Sequence, residues 1–364
     1  MARLRASQPV ISHKHPCDFS HPRSSIFLYT DYFYGVVINL LTLTAKIYPM
    51  AFSVLVQDGI FPIIHLKDEQ YNCSAEVYSF GALLNAFTIT RAGTSHNVID
   101  GFATPQDAVE GITAGFKSAK LSPFVCRVTK GQYSFNNQAY SIKKFYLGDE
   151  AIHGLLYDAP FSILDKGTNS KGAFVTLGYE YHNAAEGFPF QYKTQITYTL
   201  KEHGVLSMET VVTNTGDADM PLCDGWHPYF NLGCTVNDLL VQINATQVLE
   251  FNDSLVPTGK TVENIAFATP KHLGDTFFDN CFIVNEEPKT ACTLTNTTSG
   301  LRVTIEAMAG YPYLQVYTPP HRKSIAVENL SGAPNAFNNA IGLIIAKPSE
   351  PHIFANDYTV YLPA

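Results

Sequence analysis

The stretch Asp224-Gly225-Trp226-His227-Pro228-Tyr229-Phe230-Asn231-Leu232 sets one imidazole among aromatic residues that include the chain's only Trp. Histidine titrates near neutrality and can give or take a proton there. Pro228 pushes the residue before it out of the α region, which predicts His227 at a strand end rather than within a helix. The flanking aromatic faces complement the apolar C–H faces of a flat, hydroxylated ring. A histidine packed in an aromatic core would give the same pattern, so this motif does not decide by itself. A second one stands far along the chain at Ile325-Ala326-Val327-Glu328-Asn329-Leu330. Strand alternation puts Ile325 and Val327 on one face and Ala326 with Glu328 on the other. A carboxylate beside a small residue at a strand end suits the floor of a cleft. An ordinary exposed glutamate is the plainer alternative.

The segments that must position these groups read as strands. Val54-Leu55-Val56, Ile63 to Leu66 and Glu76 to Phe80 are short apolar or alternating runs broken by turn residues. Tyr192–Leu200 and Val205–Thr213 alternate around Lys201-Glu202-His203-Gly204 and predict a hairpin. Further strands are expected at Leu301–Ala307, Leu314–Thr318 and Tyr358–Leu362. Asp107 to Lys120 is one of the few helix-like windows, weakened by two glycines. Closely spaced strands with turn signals predict an all-β chain of antiparallel sheets facing each other, with few short helices. No repeat or low-complexity linker divides residues 50–364, which predicts one domain there. Residues 1–49 differ: a basic, His- and Pro-rich start precedes an apolar run that Asp31 interrupts. They are expected to be an extension outside the fold, with Met50 as the natural start.

Composition narrows the function. With 24 Lys and Arg against 32 Asp and Glu, the net charge is −8, which argues against a nucleic-acid surface. No membrane span is expected, since the early apolar run is short for one. Seven cysteines form no CxxC pair, which reads as reduced thiols and a cytoplasmic setting. No HExxH, GxSxG, P-loop or Rossmann glycine pattern occurs. Cys126 and Cys223 read as buried inert thiols, and His96, His182, His272 and His321 lack ligand spacing.

Gly-Trp-His-Pro-Tyr-Phe-Asn-Leu followed by Val-Glu-Asn and Ala-Pro-Asn-Ala-Phe-Asn-Asn resembles the aldose 1-epimerase (galactose mutarotase) family. Other stretches match in order: Arg127-Val128, Ile152-His153-Gly154, Gly187-Phe188-Pro189, Tyr198-Thr199-Leu200, Val256-Pro257-Thr258-Gly259, Phe278-Asp279-Asn280-Cys281-Phe282 and Leu314-Gln315-Val316-Tyr317-Thr318. The resemblance implies a large galactose mutarotase-like β-sandwich and an isomerase that interconverts the α and β anomers of free aldohexoses. It implies His227 as the general acid toward the ring oxygen and Glu328 as the general base toward the anomeric hydroxyl. It further implies that Arg127, His153, Asp279 and Gln315 hold sugar oxygens. The reaction needs two groups that exchange acid and base roles, with neither metal nor cofactor, and the partner is a small sugar taken by a monomer or homodimer.

The sequence also departs from the family. Cys126 stands where Asn is usual, Leu155 replaces a second Gly, Asn335 replaces an Asp, and Asn329 stands where Pro is common. These changes bear on sugar preference and leave the implied acid and base in place. A hexose-6-phosphate epimerase is the first alternative, though only Arg127 offers a cation. A non-catalytic sugar-binding module is the second, though binding alone needs no acid–base couple.

Overall fold

The computed structural model describes residues 51–263 and 265–363. The expectation for residues 1–49 lies outside the described residues. The described residues lie in one compact unit. Among the described residues, 29 strands stand against two short α-helices, and all paired strands are antiparallel apart from an isolated parallel bridge at Asn214 and Pro348.

Two large sheets make the body. One has nine strands, running in space from Ser162–Asn169 through Gly172–Tyr181, Tyr192–Lys201, Val205–Asn214, Pro351–Tyr361, Arg302–Ala309, Thr290–Asn296 and Leu239–Ile243 to Lys271–His272. The hairpin expected around Glu202 is there, with Lys201 opposite Val205. Along Tyr192–Lys201 every second side chain is buried, as a strand with one face on a core requires. The other sheet has eight strands, and its centre carries Asp279–Ile283, Tyr313–Tyr317, Ile325–Leu330, Gly225–His227 and Ala119–Leu121 side by side. Aromatic side chains cross the gap between the sheets. Trp226 meets Tyr198 edge-on at 6.0 Å, and Phe230 meets Tyr358 at 5.3 Å.

Two local expectations are corrected. The helix-like window does not reach Lys120. The helix is Pro105–Gly111, capped by the Thr104 side chain, and it gives way to one 3-10 turn at Ile112–Ala114. Ala119–Leu121 is instead a strand, because it pairs with Gly225–His227 at long range, and tertiary pairing overrides a weak local propensity. Glu328 is not at a strand end, since its strand continues to Leu330. The six cysteines among the described residues are unpaired. No helix among the described residues is long and apolar enough to cross a membrane.

Candidate active site

The eight-stranded sheet presents its chemistry in rows across neighbouring strands. Register sets Cys281 opposite Gln315 and Gln315 opposite Glu328. Gly225 opposite Leu330 and Tyr229 opposite Ala326 carry His227 alongside Glu328. The next row on the same face is Asp279, Tyr317, Ala326 and Tyr229. Side chains two apart on a strand share a face, so both rows lie on one face of the sheet. Ala326 keeps the second row low between Tyr229 and Tyr317.

In the first row the Nε2 of His227 lies 3.3 Å from the Oε1 of Glu328. Both residues are buried, His227 at 4% exposed and Glu328 at 2%. Tyr229 flanks the imidazole with ring centroids 5.1 Å apart. His153 meets it edge-on at 4.7 Å and is itself backed by Phe116 at 4.6 Å. His153 and Gly154 both take positive φ, at 61° and 77°. A Cβ on Gly154 would sit 2.6 Å from backbone atoms of Ser122, so glycine is required there and the turn fixes where His153 points. Gln315 donates through Nε2 to Asp279 at 2.7 Å. Arg127 donates through Nη1 to the carbonyl of Ser254 at 3.2 Å. The structure therefore brings His227, Glu328 and His153 together and sets Gln315 and Asp279 in the adjoining rows, with Arg127 acting on the two carboxylates.

Electrostatics in the hollow follow from burial. Burial pushes the Glu328 carboxyl well above its ordinary range; Asp279 adds to the rise and Arg127 opposes it. Burial also pushes His227 down to about 4. His153 is driven well below its usual value by burial, then by His227 and Arg127. Asp279 is raised by burial, against the pull of Arg127 and the Gln315 hydrogen bond. For His227 and Glu328 the two directions agree. Both shifts, caused first by burial, favour the form with no net charge on either partner.

Polar atoms in this hollow stand unused. Nδ1 of His227, Oε2 of Glu328, Oε1 of Gln315, Nδ1 of His153 and Nε of Arg127 are buried without a hydrogen-bond partner. Buried polar atoms are normally paired, so unpaired polar atoms on these neighbouring residues fit a hydroxylated guest. Donor atoms of His153, His227 and Glu328 lie within 4.8 Å of one another, and these three are what a metal ion would find here. Zinc-type coordination at about 2.0–2.2 Å would draw such donors closer together. The thiol of Cys126 is raised by burial and then by Glu328, which makes it a poor nucleophile.

The sequence did not point to Phe116, which sits in the helix-like window, or to Ser254, which contributes a backbone carbonyl and so leaves no residue-type signal. Lys120, behind the His227 strand, was also missed. A lysine set between Ala119 and Leu121 carries no local signal that pairs it with Asp224, 104 residues on.

The family model for aldose 1-epimerase matches residues 62–354. The chain is 31% identical over 255 residues to protein YihR of Escherichia coli K12, covering 65% of this chain and 77% of that one. It is 26% identical over 282 residues to galactose mutarotase of Mus musculus, covering 71% and 78%. The solved structure of galactose 1-epimerase from Lactobacillus acidophilus NCFM superposes with a TM-score of 0.73 at 20% identity, over 86% of this chain and 99% of that one.

Proposed function

The chain belongs to the aldose 1-epimerase family, and from that premise we propose that it interconverts the α and β anomers of free aldohexoses, with His227 and Glu328 as the exchanging acid and base. The observation that carries this reading is the buried Nε2–Oε1 contact of 3.3 Å with an unused acceptor on the same carboxylate. Ring opening runs through the form with His227 as imidazolium and Glu328 as carboxylate, the minor form of the pair because burial favours both groups neutral. Glu328 takes the proton of the anomeric hydroxyl, the C1–O1 bond becomes a carbonyl, and the bond from C1 to the ring oxygen breaks. The ring oxygen leaves with the proton of His227. Both groups are then neutral, which is the state their burial favours. Rotation about C1–C2 turns the other carbonyl face to the hydroxyl, and the same two transfers run backward. Net charge in the hollow never changes.

Asp279, Gln315, His153 and Arg127 serve in this reading as holders of sugar oxygens. Tyr229 and Tyr317 flank the low floor at Ala326, where the apolar face of a pyranose fits. Each positioned proton transfer contributes about 10²–10⁴-fold. The test is anomer exchange of freshly dissolved α-glucose and α-galactose by polarimetry or NMR. Acceleration over buffer that vanishes in Glu328→Gln supports the proposal. Relaxation no faster than buffer with the wild-type protein defeats it.

A further inference from the structure

We propose that Phe116 is a positioning residue of this site: the turn Phe116–Ser118 holds the His153 imidazole against His227 by ring packing, in place of the hydrogen bond that ordinarily orients a functional histidine. The inference rests on the acid–base reading above.

The need for such a device follows from what fixes His153. Its backbone is set. The amide donates to the carbonyl of Cys126 at 2.7 Å, φ is 61°, and Gly154 beside it has no room for a side chain. These contacts do not set the ring, because the outer torsion of a histidine is broad and takes no single staggered value. A histidine at a reacting site usually has its tautomer and orientation fixed by a hydrogen bond at its second ring nitrogen. Here Nδ1 of His153 is buried without a partner. What the ring does meet is Phe116, at 4.6 Å between centroids, and His227, at 4.7 Å.

Phe116 makes this contact from an unfavourable backbone. It and Ser118 take φ of 55° and 54°, and an aromatic residue in the left-handed region is an outlier. Such conformations persist only where the surroundings hold them, and they gather at functional sites. Phe145 and Tyr157 meet Phe116 edge-on at 5.3 and 5.1 Å, and its amide donates to the carbonyl of Ile112 at 2.7 Å. Lys117 reaches Asp100 at 2.7 Å, and the amide of Asp100 donates to the carbonyl of Tyr229 at 2.9 Å. The amide of Ser118 donates to the carbonyl of His227 at 2.9 Å, while its hydroxyl has no partner. Three consecutive residues thus tie His153, Tyr229 and His227 to one turn, and that turn sets the two imidazoles relative to each other.

The test is a double-mutant cycle on the full chain, read as kcat/KM for anomer exchange of glucose. Phe116→Ala is expected to lower kcat/KM about 10- to 100-fold, the scale of a group displaced by about 1 Å. Added to His153→Ala, it is expected to lower it by no more than about twofold further, because a residue that acts through His153 then has nothing left to position. Phe116→Leu keeps apolar bulk without a flat ring. It is expected between the wild type and Phe116→Ala, and it carries the same cycle if a thermal melt shows Phe116→Ala unfolded. A loss at Phe116 that multiplies with that of His153→Ala, or no loss at all, overturns the proposal. A second readout needs no turnover. NMR of the histidine-labelled chain should show cross-relaxation between the ring protons of His153 and His227, and Phe116→Ala should abolish it. Persistence of that contact in the variant overturns the positioning role even if exchange falls. A wild type that accelerates neither glucose nor galactose overturns the acid–base reading instead, and the ring contact still decides what Phe116 does.

Discussion

The run Asp224–His227 carries a buried charge pair on each of its two faces, and the two pairs are finished to different degrees. On the face toward the nine-stranded sheet, Lys120 and Asp224 are both fully buried and their Nζ–Oδ1 distance is 2.5 Å. Lys120 also reaches the carbonyl of Gly225 at 3.3 Å and Thr210 at 3.4 Å, and its ammonium lies 4.3 Å from the centre of the Trp226 ring. Tyr311 donates to the same Asp224 oxygen at 2.7 Å. Every hydrogen of the ammonium has a partner, and Oδ2 of Asp224 is the one side-chain atom of the pair left over. On the other face His227 and Glu328 pair with each other and leave Nδ1 and Oε2 without a hydrogen-bond partner. A satisfied buried pair fixes structure, while an unsatisfied one at a hollow is poised for a ligand. The backbone between the two faces is common to both, so the Lys120 pair braces the strand from which His227 projects.

The contrast breaks most sharply at Glu328. Glu328→Gln is expected to lower anomer exchange by about 10²–10⁴-fold while the melting temperature stays level or rises. Burial raises the Glu328 carboxyl, so the folded state binds its proton more tightly than the unfolded chain. Its contribution is therefore full at acid pH and is lost as pH rises above the ordinary carboxylate range. The thermal advantage of Glu328→Gln should grow toward alkaline pH, and melts at several pH values check it. A variant that melts well below wild type at all of them would mean that Glu328 is structural.

On the other face the expected loss is of stability. Lys120→Met strands a buried carboxylate and should cost about 3–5 kcal/mol, read by urea unfolding. Lys120→Met with Asp224→Leu should recover much of that loss, since no charge is left unpaired. If the single and double variants were equally unstable, the pair would matter through packing rather than charge.

Acid titration separates the faces further. His227 falls from an ordinary value near 6.5 to about 4 in the folded protein. Its contribution to stability is full above about 6.5 and is lost as pH drops toward 4. His227→Gln should therefore lose less stability than wild type across that window, measured by chemical unfolding. Anomer exchange by the wild type should fall over the approach to pH 4, where both members of the dyad are protonated. The smallest effect is expected at Gln315. Gln315→Ala removes the donor to Asp279 and should reduce kcat/KM about tenfold, the scale of one charge-assisted hydrogen bond, with most of the change in KM.

What the chain disclosed beforehand and what it withheld divide along the same strand. Pro228 after His227 forecast an extended backbone, and His227 lies in the strand Gly225–His227. The alternation of Tyr192–Lys201 forecast a half-buried strand, because a one-sided core imprints a period of two. Lys120 could not be read, since its partner Asp224 lies 104 residues away and local propensity favoured the helix-like window instead. The burial of Glu328 was also hidden. A carboxylate among alternating residues looks solvent-facing until tertiary packing buries it.

The proposed acid and base stand on adjacent antiparallel strands, one in Gly225–His227 and the other in Ile325–Leu330. Their separation is thus inherited from the repeat distance of the sheet, about 4.8 Å between strands, and not from the course of any surface loop. Substitutions in the surrounding loops therefore leave that spacing unchanged, as a constant of the weave.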